Sequence, residues 1–240
     1  MSLAVGIIVA SSCMSQGALA CGVPPPGAPP GFRCTEGDAE KSPRFRTGAG
    51  YTFSSTRISF SNGAKADVDR HLVSSSLEVR ASPAWTLQAG AGLLLSGDMR
   101  FPVARFAFAG GASFSIGASY RLVEEKGALP FVGITTTLGY ATAKAHERFG
   151  PSIGYNAFDL RIGGIVGKSI ADVVTVYAAA RVFGGPIFWK LRDEAVTGTD
   201  VYKYQLGAGA SLLLARRIDV FVEGVALGER LVTAGLGVSY

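Results

Sequence analysis

Few residues in this chain are of types that do acid–base or metal chemistry. Only two histidines occur, His71 and His146. His71 follows Asp67 and Asp69, and His146 is adjacent to Glu147. A carboxylate that orients an imidazole can make it a general base. Neither pair lies in a nucleophile motif, and no spacing of His, Cys, Asp and Glu suits a metal ion. Histidines beside acids in loops are ordinarily just solvated, so catalysis is the minor expectation, and neither a metal nor a cofactor is expected. The larger chemical resource is charge set at alternate positions among Gly, Ala and Ser. Arg46, Arg80, Arg161, Arg181 and Lys203 recur in this way with Glu78, Asp159 and Glu223.

Alternation of this kind needs strands to display it. The clearest runs from Phe106 to Leu122, F-A-F-A-G-G-A-S-F-S-I-G-A-S-Y-R-L. Its even positions are mostly apolar and its odd ones small, polar or charged, a period of two that belongs to a strand. At ~3.3 Å per residue it is far longer than a soluble strand needs. A greasy outer face, a polar inner face and aromatics at both ends describe a strand crossing a bilayer.

Similar alternation recurs near 45–53, 73–80, 85–93, 132–140, 158–167, 174–182, 202–212, 218–226 and 232–240. Around Ser54-Ser55-Thr56 the apolar parity changes, since Ile58 and Phe60 continue on even numbers; this predicts a β-bulge or a short separate strand. The count is about ten crossings, with eight remaining if the first two runs do not both span. The fold class is thus all-β, a transmembrane antiparallel up-and-down β-barrel over residues 45–240. Short connections near 82–83, 124–127, 170–172 and 216–217 alternate with longer ones near 97–104, 145–153 and 185–199, the asymmetry of periplasmic turns and outer loops. Outward aromatics are expected in two girdles: Phe45, Trp85, Tyr120 and Tyr240 on the periplasmic side, and Phe106, Phe108, Tyr140, Phe158, Tyr202 and Tyr204 on the outer side.

Composition agrees. Hydrophobic residues make up 48% and charged residues 17%, yet no run of about eighteen apolar residues follows the N-terminus, which argues against a helical membrane protein. The net charge of +5 comes from scattered basic residues with no Lys/Arg run, so nucleic acid is not an expected partner.

Residues 1–20 have an apolar centre and end in Ala18-Leu19-Ala20, an A-x-A-type cleavage site. They read as a signal peptide, although no Lys or Arg precedes the apolar stretch. Residues 21–44 contain Pro24-Pro25-Pro26 and Pro29-Pro30 and read as an extended periplasmic tail. Cys21 and Cys34 are candidates for a disulfide in an oxidising periplasm. Lipid on Cys21 is the weaker reading, because Ala18 stands where a bacterial lipoprotein box usually has a larger aliphatic.

The final run, L-V-T-A-G-L-G-V-S-Y, has apolar residues at every second place before a terminal aromatic. It resembles the closing strand of bacterial outer-membrane proteins. Size and single-barrel layout look like the small OmpA/OmpX-type barrels. This resemblance implies residence in the bacterial outer membrane, contact with lipid and lipopolysaccharide, recognition of the last strand by the barrel-assembly machinery, and a monomer. No Ser or Asp motif resembles those of the hydrolytic outer-membrane barrels.

The expected lumen, holding the eight charges named above, has two readings. Salt-bridged side chains can fill a small barrel and make it a structural element. Alternatively they line a narrow pore, slightly anion-favouring, for small solutes. The rival from another class is a surface-binding protein acting through its outer loops, above all 184–199 with Phe188 and Trp189.

Overall fold

The computed structural model describes residues 44–147, 152–171, 173–191, 194–215 and 217–240. The expected signal peptide, the Pro-rich tail and the Cys21–Cys34 pair lie outside them. The described chain is built from twelve strands: β1 (Phe45–Phe60), β2 (Lys65–Arg80), β3 (Trp85–Arg100), β4 (Arg105–Val123), β5 (Phe131–Glu147), β6 (Ser152–Ile170), β7 (Val174–Gly184), β8 (Ile187–Leu191), β9 (Glu194–Asp200), β10 (Tyr204–Ala215), β11 (Ile218–Gly228) and β12 (Arg230–Ser239). Ten of them form a closed antiparallel barrel, sealed where β12 pairs with β1 from Arg46↔Ser239 to Ser55↔Arg230.

The ten are not of one length. β1 to β6 run for 16–19 residues. β7 and β10 to β12 run for only 10–12. A tilted strand needs about 9–11 residues to cross the hydrocarbon, so the short strands end at the outer interface and the long ones continue beyond it. Above the short strands the β8–β9 hairpin takes their place. β8 pairs with β6 at Tyr155↔Trp189 to Ala157↔Ile187. β9 pairs with β1 at Ile58↔Asp200 to Phe60↔Gly198. The molecule thus has a ten-stranded storey in the membrane and an eight-stranded one outside it.

Between the two storeys the polarity of the wall inverts. In the membrane Leu77, Leu87, Ile116, Leu138, Ile162 and Leu236 face outward and are exposed. Outside it, Val68, Met99, Phe106, Phe108, Tyr155 and Trp189 face inward and form the main apolar core. Phe106 and Trp189 meet edge to face at 5.3 Å, as do Phe108 and Tyr155 at 5.4 Å. Burying each such side chain contributes roughly 1.5–3 kcal/mol.

This inversion corrects two expectations. There is no bulge at Ser54–Thr56, because β1 pairs with β2 without interruption from Phe45↔Val79 to Ser59↔Lys65. Even-numbered side chains point inward along the whole of β1, and what changes at Ile58 is the environment on each side. Register shifts fall elsewhere, among them one between His71 and Leu72 in the β2–β3 pairing and one between Phe108 and Gly111 in the β4–β5 pairing. The second turns the upper part of β4 over. Phe106 and Phe108 therefore point into the core, 2% and 5% exposed, and do not belong to the outer girdle.

The remaining exposed aromatics gather at two levels. Trp85 packs on Tyr120 at 4.9 Å, and Phe45 stacks on Tyr240. At the opposite end Tyr140 packs on Phe158 at 4.9 Å, and Tyr202 and Tyr204 are exposed.

Candidate functional site: the barrel lumen

The lumen carries three sets of paired charges, from the periplasmic end up to the level of the hairpin. Nearest the periplasmic end, Arg46 donates from Nε and Nη2 to Asp219 at 3.0 and 2.5 Å, and from Nη1 to Glu78 at 3.2 Å. The guanidinium lies against the adjacent strand β12. A Cβ on Gly237 would come within 2.1 Å of Arg46 Nη2, so this close approach requires glycine there. Further up, Arg181 donates to both oxygens of Glu223 at 2.7 and 3.0 Å, and the Tyr177 hydroxyl adds a third bond at 3.2 Å.

The uppermost set is centred on Glu229, which is almost wholly buried. It accepts from Arg70 at 3.0 Å and from Gln205 at 2.6 Å, and pairs with Arg161 Nη2 at 2.9 Å. Arg161 also donates to Asp159. Asp200 of the hairpin accepts from Thr56 at 2.9 Å. Glu229 is not on a strand. It sits in the tight outer turn between β11 and β12, where Gly228 has φ +81°, in the left-handed region that favours glycine.

Between the upper and lower charges lies a cavity of about 250 Å3. Hydroxyl groups of Ser54, Ser74, Ser113, Ser115, Thr135 and Thr137 line it on the β1 to β5 side. Its charged lining is Arg70, Arg161, Asp159, Asp200 and Glu229, with Arg181, whose guanidinium is bound to Glu223 outside the lining. Ile187 and Tyr155 contribute to the lining from the outer side, where the apolar core begins.

Six of the eight expected lumen residues, Arg46, Glu78, Asp159, Arg161, Arg181 and Glu223, meet in these sets. Arg80 is half-buried near the periplasmic end of β2. Lys203 is a correction: it is exposed in the segment between β9 and β10, because β10 begins only at Tyr204. Sequence reading omitted Arg70, Asp219, Gln205, Asp200 and Glu229. Arg70 shares its parity with Glu78, and Asp219 with Glu223, so alternation already contained both. Glu229 in its turn has no periodicity to reveal it.

The two histidines are placed apart from this network. His71 faces outward, its Nδ1 2.6 Å from the Tyr51 hydroxyl and its ring 5.0 Å from that of Phe53. Asp67 and Asp69, its neighbours in sequence, pair instead with Arg57 at 2.6 Å and Arg100 at 2.5 Å. His146 is exposed near the outer end of β5, beside Glu147. In the long outer loop the two aromatics divide: Trp189 enters the core and Phe188 points outward.

No protein-family model matches the chain. No curated protein matches it either. Solved structures do match. The outer membrane protease OmpT of Escherichia coli aligns with a TM-score of 0.54 at 12% identity, over 82% of this chain and 97% of that one. The translocator domain of the autotransporter NalP from Neisseria meningitidis aligns at 0.48 and 14% identity, over 82% and 88%. The COG4313 outer membrane channel from Pseudomonas putida F1 gives 0.44 and 11%, over 87% and 100%. At such identities the likeness to OmpT concerns the fold alone: this chain is a ten-stranded β-barrel of the bacterial outer membrane.

Proposed function

We propose that this protein is a structural, passive barrel whose lumen is closed at rest, and that it admits small polar solutes when the β8–β9 hairpin leaves the wall. The observation that carries this reading is the shortness of the hairpin's ladders. It pairs with β6 at three residue pairs and with β1 at three, and is otherwise held by Ile187, Trp189 and Val196 in the apolar core, while it closes the storey above the cavity. The paired lumenal charges support a narrow route, and the six carboxylates set against four arginines in the three groups argue for weaker anion preference than the arginines alone suggest. A non-enzymatic role is supported by the outward position of His71 and its bond to Tyr51. The closing strand, ending at Tyr240, suits recognition by the barrel-assembly machinery. The charged outer wall with Arg57, Arg100 and Arg105 suits lipopolysaccharide, and the barrel is proposed to act as a monomer.

The test is planar-bilayer conductance of a chain with its native cysteines replaced by serine and the pair Ser59→Cys and Thr199→Cys added. Those two positions are direct partners across β1 and β9. Openings in reductant that vanish on oxidation support the reading. A folded chain that is silent in both states, or open in both, removes it.

A surface-binding role is the second reading. The outward Phe188, in edge contact with Phe158, supports it by offering an aromatic anchor beside the outer interface.

A further inference from the structure

We infer that the cavity is a site for one small organic ammonium ion, a protonated primary amine whose apolar body is no larger than a single ring. The site rests on the passage reading for its route of entry and adds to it the class of solute.

Charge is the first ground. Arg70 and Arg161 meet Asp159, Asp200 and Glu229 at the outer end of the cavity. Both arginines bond to Glu229, and Arg161 also bonds to Asp159. Arg181 does not alter this count, because Glu223 holds its guanidinium at 2.7 and 3.0 Å. One carboxylate is left in excess. It is Asp200, which accepts from the Thr56 hydroxyl at 2.9 Å and from no cationic group among the described residues. A carboxylate drawn out of water is costly to keep ionised, and a bound cation offsets that cost.

The second ground is a pair of oxygens that open on the cavity. One is the second carboxylate oxygen of Asp200. The other is the hydroxyl of Tyr155, a residue 2% exposed whose ring is fixed edge to face by Phe108 and Trp189. Neither oxygen has a hydrogen-bond partner among the described residues, yet neither is sealed in by protein, unlike Ser54 Oγ and Asp159 Oδ1. Tyr155 also lies within the field of Asp200. Both oxygens accept, and an ammonium group offers three donors.

The third ground is the apolar lining at the same height. Leu72, Phe183, Ile187 and Leu231 line the cavity beside these groups. Ser54 is the register partner of both Arg70 and Leu231, and Phe183 that of Arg161. A bare metal ion would need about six oxygens in place of its water and finds too few. An alkyl or aryl body suits such walls. A cavity of ~150 Å3 takes up benzene, so one of about 250 Å3 has room for a ring and a short aminomethyl arm. Asp200 belongs to the hairpin, so the site is complete only while the hairpin is docked, and a bound amine holds it there.

The probe is benzylammonium, present while the full chain is refolded into liposomes, so that a hairpin that never moves cannot hide the site. Folding is verified by heat-dependent gel mobility. Equilibrium dialysis compares the probe with benzyl alcohol and benzoate, neutral and anionic molecules of the same shape. Saturable binding of benzylammonium alone is expected at pH 7.5. The Asp200 carboxyl is pushed up to about 6 by burial and by Glu229 and Asp159, against the Thr56 hydroxyl and Arg70. Binding should therefore weaken about tenfold at pH 5, where such a group is about nine-tenths protonated. Asp200→Asn keeps the shape and should abolish saturable binding at both pH values. Tyr155→Phe, which removes only the hydroxyl, should weaken it severalfold. Benzyl alcohol held as tightly as the amine, binding unchanged in Asp200→Asn, or no saturable binding at all overturns the site. If the reduced Ser59→Cys and Thr199→Cys chain still opens in the bilayer, the passage reading survives that failure. Binding by a chain silent in both redox states keeps the site and removes the passage.

Discussion

Arg46 and Asp219 are 173 residues apart in sequence and share two hydrogen bonds inside the barrel. They join the first strand to the last but one, spanning the seam where β12 closes on β1. Glu78 completes the group from β2. A buried guanidinium between two carboxylates thus ties together four successive strands of the periplasmic rim.

Breaking that group by removing one member leaves a buried charge uncompensated. Asp219→Ala is expected to destabilise the folded barrel by about 3–5 kcal/mol, read as a lower urea midpoint for loss of the heat-resistant gel form. Gly237→Ala should act in the same direction, since its methyl would meet the Arg46 guanidinium. If either variant unfolds at the wild-type midpoint, the Arg46 group is not what secures the seam.

The chain has two tryptophans, and the structure gives them opposite surroundings. Trp85 faces outward on the periplasmic girdle, while Trp189 is 2% exposed in the core of the outer storey. Brominated lipids should therefore quench the fluorescence of Trp189→Phe protein strongly and that of Trp85→Phe protein weakly. Equal quenching of the two would contradict the polarity inversion.

Trp189→Ala removes the largest side chain of the outer core, a change that typically costs about 3–5 kcal/mol. The loss should fall on the hairpin. Expected are faster hydrogen exchange confined to 187–200 and more frequent openings in the bilayer, with the membrane storey still heat-resistant on gels.

Asp200 lies on the outer hairpin, and its carboxyl is pushed up from 3.8 to about 6, by burial first and by the nearby Glu229 carboxylate second. The Thr56 hydroxyl and Arg70 oppose that shift. A carboxyl with a raised folded pKa holds its proton more tightly when folded. The docked hairpin should then gain stability as pH falls from above 6 towards 4, and lose it as pH rises through the same window. Asp200→Asn is expected to flatten this dependence and to stabilise docking above pH 6. Melting followed by Trp189 emission in a Trp85→Phe background, at pH 5 and pH 7.5, measures both effects.

How much of this was readable beforehand divides along the membrane plane. Within the bilayer, alternation has one meaning, apolar outward, and it placed Leu87, Ile116, Ile162 and Arg181 on the correct sides. Above it the same alternation has the opposite meaning. Phe60 then reads as a slip in register when it is a core residue, and Phe106 reads as lipid-facing when a bulge has turned it inward. Glu229 escaped for a different reason: a single residue in a turn carries no pattern, and its role emerges only when Arg70, Arg161 and Gln205 converge from three other strands.

The reversal of polarity along the wall also fixes the barrel's draught. A barrel that is greasy outside from end to end can ride up or down in its bilayer at modest cost. Here, sinking by one residue pair would bring Arg57 and Asp67 of the outer wall towards hydrocarbon, and rising would lift Leu93 and Leu95 into water. Both directions are opposed, so a membrane of different thickness must deform to meet the protein, thinning or thickening around it. The molecule behaves as a float with a marked waterline, and that line coincides with the level at which the hairpin begins.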